Sequence, residues 1–329
     1  MDMRDKIGIT GGLYPENLEY FRELNVGWYK WTPEWDDPNF DKTCSGIASM
    51  LRELRMKWLF TLQPNFGNPR VDFTKWEGFI HKVYERYGDV IGAFMVGNEP
   101  NCVLFFPQNE NTIDDYARLL MRSYEIIKKI CNLRVLFGCL AGGIFDFYFK
   151  VRLKYRDIDS YFDDLALNLH PSYPPKHLRT ELKLVTKPVW ITETNRCVSE
   201  TGESYDSKTM GGVVPEDPYT NYINLKEIVE TSFELGARAV FFYTIRDRKG
   251  GYFADHCGLV SADGKKRPAF YLVKSLCSDF KVPSTDTIYI LDYKNRKITA
   301  RIHSAQLLDI PKKVLDMQRD YWILRDYFS

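Results

Sequence analysis

Ile91-Gly92-Ala93-Phe94-Met95-Val96-Gly97 runs for seven residues without a polar side chain and then breaks on Asn98-Glu99-Pro100. A strand with one face in water alternates apolar and polar residues. A continuously apolar run reads instead as a strand buried on both faces, as in a parallel sheet covered by helices. Seven further apolar or β-rich runs recur: Ile7 to Gly12, Val26 to Trp31, Trp58 to Gln63, Arg134 to Leu140, Leu165 to Leu169, Val189 to Thr192 and Ala239 to Thr244. Helical spacing fills most of the gaps. Trp76, Phe79, Ile80, Val83 and Tyr87 mark one helix. Tyr116, Leu119, Leu120, Ile127 and Ile130 mark another, for which Thr112-Ile113-Asp114-Asp115 offers an N-cap and a short capping box. Asp217-Pro218 opens a third, with Leu225, Ile228, Val229 and Leu235 on one face and Gly236 as its stop.

This βαβα alternation predicts an α/β fold, and eight repeats over roughly 270 residues fit a closed (β/α)8 TIM barrel better than an open doubly wound sheet. An open sheet has the same strand count, but the first βα turn, Thr10-Gly11-Gly12-Leu13-Tyr14, is not a GxGxxG phosphate loop, and no GxxxxGK[ST] occurs. Residues 1–280 are therefore assigned to the barrel and 281–329 to a C-terminal extension. That extension is read as a hairpin (Thr287 to Tyr293, a turn near Asn295, Ile298 to Ile302) followed by a helical tail over Trp322 to Tyr327.

With 45 basic and 44 acidic residues the chain has a net charge of +1. No electrostatic case arises for a nucleic-acid or membrane partner, and a neutral substrate is expected. Residues 1–6 lead into a strand without an apolar signal region, and no run approaches 18 apolar residues, so a cytoplasmic protein is expected. The seven cysteines are scattered without CxxC spacing, which points to reduced structural thiols rather than zinc or redox chemistry. Cys197 lies close to Glu193 as an alternative nucleophile, but no histidine stands in a partner motif. The extension is a candidate surface for homo-oligomer formation.

Glu99 ends the fourth run and Glu193, in Ile191-Thr192-Glu193-Thr194, ends the seventh. Barrel strands all point one way, so both carboxylates are expected at the same rim. A single glutamate at a strand end is most simply a surface carboxylate or a helix cap. Two in matched contexts make the minimum equipment for double displacement at a glycosidic bond, which needs carboxyls about 5 to 5.5 Å apart and of unequal proton affinity. The stretches Arg196 to Glu216 and Arg246 to Lys266, about 20 residues each, are longer than ordinary βα connections and would wall a pocket. Trp31, Trp35, Phe66 and Tyr243, near strand ends, are candidate platforms for the apolar faces of pyranose rings.

The Asn98-Glu99-Pro100 and Glu193 peptides resemble the acid/base and nucleophile signatures of the retaining (β/α)8-barrel glycoside hydrolases of clan A, which include cellulases, mannanases and β-xylosidases. His170-Pro171-Ser172-Tyr173 resembles that superfamily's motif after the sixth strand. The stretch from Gly258 to Ala269 resembles its segment leading into the last helix. The resemblance spans about residues 7–280. It implies Glu99 as general acid/base, Glu193 as nucleophile, Asn98 on the sugar 2-hydroxyl, Tyr173 donating to Glu193, and His170 lining the donor-sugar pocket, with a carbohydrate substrate and no metal or organic cofactor. Two departures accompany it. Many clan members carry an arginine near the end of the second strand supporting the nucleophile, where Lys30 is the nearest residue here. A tryptophan common at the end of the eighth strand is replaced by Phe241-Phe242-Tyr243. Besides hydrolysis, two other readings stand: transglycosylation, which differs only in which hydroxyl attacks the glycosyl-enzyme, and a barrel that binds carbohydrate or protein without catalysis.

Overall fold

The computed structural model describes residues 3–65, 70–142, 145–169, 180, 182–183, 185–199, 217–249, 253–278, 287–292, 297–303 and 321–325. The chain divides into two compact units, Met1–Ser278 and Asp279–Ser329.

In the first unit eight parallel strands close into a barrel in sequence order. They are β1 (Ile7–Thr10), β2 (Trp28–Trp31), β3 (Lys57–Leu62), β4 (Ile91–Asn98), β5 (Arg134–Ala141), β6 (Asp164–Leu169), β7 (Val189–Thr194) and β8 (Ala239–Tyr243). Ile9 pairs with Tyr29 of β2 on one side and Phe242 of β8 on the other, which closes the ring. Helices among the described residues are α1 (Leu18–Leu24), α2 (Phe40–Leu54), α3 (Phe73–Tyr87), α4 (Thr112–Ile130), α5 (Phe145–Lys154), α6 (Pro218–Glu234) and α7 (Pro268–Cys277). Their ends follow local chemistry. Asp72 caps α3 by accepting from the Thr74 and Lys75 amides at 2.9 and 3.3 Å. Asp217 accepts from the Thr220 amide at 3.1 Å at the start of α6, and Gly236 at φ +85° follows its last turn. For α4 the sequence reading is corrected. Thr112 is the first helical residue, Asn111 occupies the cap position, and the Thr112 hydroxyl accepts from the Asn109 amide at 2.9 Å and donates to the Pro107 carbonyl, both in the preceding loop, instead of capping a helix amide.

Two apolar cores result. One lies between barrel and helices, where Phe21, Leu51, Trp76, Ile80, Leu120 and Ile127 press on the strands. The other fills the barrel, with Trp28, Met95, Leu136, Trp190 and Phe241 among its members. At its floor Trp28 meets Trp190 edge to face at 5.1 Å, and Trp190 stacks on Phe241 at 6.2 Å. Each indole N–H is satisfied, Trp28 on the Asp5 carbonyl and Trp190 on Asp164. Asp164, fully buried, also takes Arg134 and Arg238. The floor is thus sealed, and chemistry is left to the opposite rim.

The second unit is a three-stranded antiparallel sheet in the order β10-β9-β11, from β9 (Thr287–Asp292), β10 (Lys297–His303) and β11 (Tyr321–Arg325). The two antiparallel strands match the expected hairpin, whose turn near Asn295 lies outside the described residues. The helical tail expected over Trp322 to Tyr327 does not hold, as far as it is described: Tyr321–Arg325 is a strand, Trp322 to Leu324 pairing with Leu291 to Tyr289 of β9, and residues 326–327 lie outside the described residues. Tyr-Trp-Ile-Leu is β-prone and too short to propagate a helix, so pairing with an open edge prevails.

Gly8 leaves room for the floor, since a Cβ there would stand 2.4 Å from Cδ1 of the buried Phe241 ring. Gly8→Ala is expected to lower unfolding free energy by about 1–3 kcal/mol. Gly46→Ala, inside α2 with nothing within 4 Å of the added methyl, is expected to raise it by about 0.5–1 kcal/mol. Urea denaturation of the pair checks both signs.

Candidate active site

Above the floor the barrel interior turns polar. Lys30, two residues after Trp28 on β2, faces the same way and is wholly removed from water. Its Nζ donates to Glu193 Oε1 at 2.5 Å, to Asn98 Oδ1 at 3.1 Å and lies 3.7 Å from Cys139 Sγ. Burial opposes the ammonium charge, but the surrounding Cys139, Glu193 and Glu99 outweigh it and hold the Lys30 pKa above the ordinary lysine value. Burial pushes the Cys139 thiol up to about 12, so near neutral pH it is a neutral S–H that donates to Asn98 Oδ1 at 3.1 Å. Near that pH the direct counter-charge to the Lys30 ammonium is therefore the Glu193 carboxylate. With Oδ1 of Asn98 occupied by Lys30 and Cys139, the amide NH2 is left for the cavity that Asn98 lines.

Glu99 and Glu193 are both 8% exposed and line one cavity of about 550 Å3 at the C-terminal ends of the strands. Their surroundings differ. Glu193 touches the Lys30 ammonium directly, whereas Glu99 accepts from the neutral amide of Asn168 at 2.8 Å. Asn168 is oriented in turn by Thr192, whose hydroxyl donates to Asn168 Oδ1 at 2.9 Å, while Thr10 donates to the Thr192 carbonyl at 2.8 Å. Glu99 sits at φ +45°, a left-handed conformation uncommon outside glycine, two residues after Gly97 at φ +81°. Neighbours hold it there: the Asn98 amide donates to Gln63 Oε1 at 2.7 Å, and the Cys102 amide donates to the Glu99 carbonyl at 2.8 Å. A backbone held off its preferred region by several bonds is a mark of a functional position.

Tyr243 completes the wall from β8, its peptide bond to Thr244 cis. Burial first, then the Glu193 carboxylate, push its phenol up to about 12, and Arg248 donates to its oxygen at 3.0 Å. The loop after β8 is braced by a buried pair, Arg267 to Asp247 at 2.7 and 3.0 Å, with the Gly258 amide on the same carboxylate at 2.7 Å.

Solved structures of similar shape include glycoside hydrolases and a glucanosyltransferase. A family 39 glycoside hydrolase from the gut symbiont Bacteroides cellulosilyticus WH2 superposes with a TM-score of 0.63 at 12% identity, covering 84% of this chain and 64% of its own. The GH53 catalytic domain of Ignisphaera aggregans gives 0.64 at 13%, covering 84% and 98%. An active-site mutant of the Rhizomucor miehei β-1,3-glucanosyltransferase, in complex with laminaritriose, gives 0.57 at 14%, covering 81% and 97%. The chain shares their barrel fold. It spans just under two thirds of the family 39 enzyme. No family model matches the sequence, and no curated protein is significantly similar to it.

Of the residues singled out in the sequence, Glu99, Glu193, Asn98, Trp31 and Tyr243 line the cavity, and Lys30 stands beneath it. Trp35 lies instead against Trp76 and Phe79 of α3, at 5.6 and 6.1 Å, and is not among the described lining residues. His170, Tyr173 and Phe66 fall outside the described residues. Cys197 is buried with its sulfur 3.6 Å from that of Cys257 and is likewise not among the described lining. Asn168, Cys139 and Thr10 were given no part in the site by the sequence, and Thr192, a polar flank of Glu193, bonds Asn168 instead. The signal they left was a lone polar residue inside an apolar strand. Among the described residues no His, Cys, Asp and Glu group is arranged to hold a metal ion, and no helix is long and apolar enough to cross a membrane.

Lys30→Met is expected to lower stability by about 3 kcal/mol, because it leaves Glu193 buried without its cation. The Lys30 pKa is raised in the fold, so the pair's contribution is complete below the ordinary value of 10.5 and is lost as pH climbs through the higher folded value. Urea denaturation should therefore show the full difference at pH 7 and a progressively smaller one as the pH rises beyond 10.5. An equal difference across that range would detach the effect from the charge.

Proposed function

We propose that this chain is a retaining O-glycoside hydrolase in which Glu193 attacks the anomeric carbon while Glu99 protonates the leaving oxygen. The observation that carries this reading is the asymmetry of two carboxylates in one cavity, Glu193 on a buried ammonium and Glu99 on a neutral amide. A nucleophile must be anionic and an acid must hold a proton, and an ammonium contact favours the first state.

In the first step the Glu193 oxygen forms an ester to the sugar as the glycosidic C–O bond breaks, and the Glu99 proton goes to the departing oxygen. Negative charge thereby moves from Glu193 to Glu99. Lys30, which interacts with both carboxylates, keeps a counter-charge in each state. In the second step Glu99 takes a proton from water as that water attacks the anomeric carbon and releases Glu193. The outward amide of Asn98 suits a sugar hydroxyl next to the reacting carbon, and the Trp31 and Tyr243 rings suit pyranose faces. The fold shared with hydrolases and with a glucanosyltransferase supports the class of chemistry while leaving water and a sugar hydroxyl as alternative acceptors.

The test is a panel of aryl glycosides followed by proton NMR of the first-formed anomer. Wild type is expected to release sugar with retained configuration, and Glu193→Gln to be slower by on the order of 10^4. Equal rates for the two proteins would remove Glu193 from the mechanism, and an inverted first product would remove double displacement. A second expectation concerns Glu99→Gln. Its rate should fall by about 10^2 to 10^4 for alkyl leaving groups and far less for nitrophenolate, which departs without a proton. A loss independent of the leaving group would contradict the acid role.

A further inference from the structure

The wall of the cavity does not end at Glu99. The chain turns through residues 100–108, and that turn is fixed at both ends. Asn101 donates to the Ala141 carbonyl at 2.8 Å and accepts from its amide at 2.9 Å, tying the turn to β5. Gln108 donates to the Pro100 and Phe106 carbonyls, each at 3.0 Å. The Phe105 and Phe106 amides both reach the Cys102 carbonyl, and the fully buried Phe106 ring meets Tyr116 edge to face at 5.9 Å. On this braced turn Val103 is 69% and Leu104 56% exposed. Leu104 and Phe105 line the cavity, as does Tyr14 from the loop after β1, itself 52% exposed. Two of the five most exposed large hydrophobic side chains among the described residues, Tyr14 and Leu104, thus line one mouth, and Val103 adjoins Leu104 on the turn.

Position and chemistry together say what would cover them. The acid that protonates the leaving oxygen stands between the donor sugar and the leaving group. The donor sugar lies toward Glu193, so residues continuing from Glu99 flank the leaving group. Aromatic faces serve sugars and hydrocarbons alike, but the branched aliphatic tip of Leu104 offers no ring to stack on and no polar atom for hydroxyls. It gains from water exclusion by hydrocarbon. We infer that the leaving-group side is an apolar subsite and that the substrate is a glycoside with a hydrocarbon aglycone, alkyl or aryl, rather than an oligosaccharide. The inference rests on the hydrolase reading for the meaning of "leaving group", but the subsite itself is testable by binding alone.

The experiment compares n-octyl with methyl 1-thioglycosides of glucose, galactose, mannose and xylose, which resist hydrolysis, titrated calorimetrically into the full-length wild type below the micelle concentration. For the sugar that binds, the octyl compound is expected to bind about tenfold tighter or more. Leu104→Asp should bring its affinity close to that of the methyl compound and leave the methyl compound unchanged, while Leu153→Asp, on α5, should alter neither. Octyl and methyl compounds binding alike for every sugar, a trisaccharide of the preferred sugar binding more tightly than the octyl compound, or Leu153→Asp acting as Leu104→Asp does would overturn the inference. Octyl preference without aryl-glycoside turnover would instead reject the hydrolase reading and keep the apolar subsite. Turnover without octyl preference would do the reverse.

Discussion

A lysine ammonium with no exposure to water is tenable only where anions and acceptors surround it, and the upper half of this barrel is built to that requirement. Lys30 faces inward from β2 because strand geometry puts it two residues above Trp28. Once there, it needs a carboxylate, and Glu193 supplies one from β7, while Asn98 from β4 and Cys139 from β5 bring further acceptor atoms. Four strands far apart in sequence are thus held to one charge. An arginine at this place would present a planar fork suited to a bidentate carboxylate, whereas the compact ammonium addresses several acceptors in different directions. That the neighbours are a carboxylate, an amide oxygen and a sulfur from three strands follows from this difference.

The sealed floor matters to the same pair. Trp28, Trp190 and Phe241 exclude water from below, so the charges interact through a poorly polarisable medium and are screened chiefly from the cavity side. The polar layer is consequently costly, and it is stable only because its members satisfy one another: Thr10 holds Thr192, Thr192 holds Asn168, and Asn168 holds Glu99. Two carboxylates of one chemical type are thereby given different environments by separate chains of contacts.

The eight strands were legible because parallel strands buried on both sides write continuous apolar runs, and the two glutamates because each interrupts such a run at its end. Their partners were less legible for a geometric reason. Which side chain faces inward near a strand's end depends on register, and the pairing slips between β5 and β6, β6 and β7, and β7 and β8. After such a slip, inward and outward positions cannot be counted from sequence alone, which is why Asn168 reads as an incidental polar residue. Trp35 shows the converse error. An aromatic residue near a strand end is as well suited to a helix–barrel seam as to a cleft, and its contacts with α3 are decided by a loop path that carries no local signature. The strand at Tyr321–Arg325 was misread because a lone β-prone pentapeptide acquires its conformation from the edge it meets.

The braced turn after Glu99 carries a kinetic implication. Because Asn101 and Gln108 fix it before any ligand arrives, this wall of the cavity is preorganised, and association there does not have to order a disordered segment first. Ligands that differ only in the group facing Leu104 would then share similar association rates and be sorted by how long they reside.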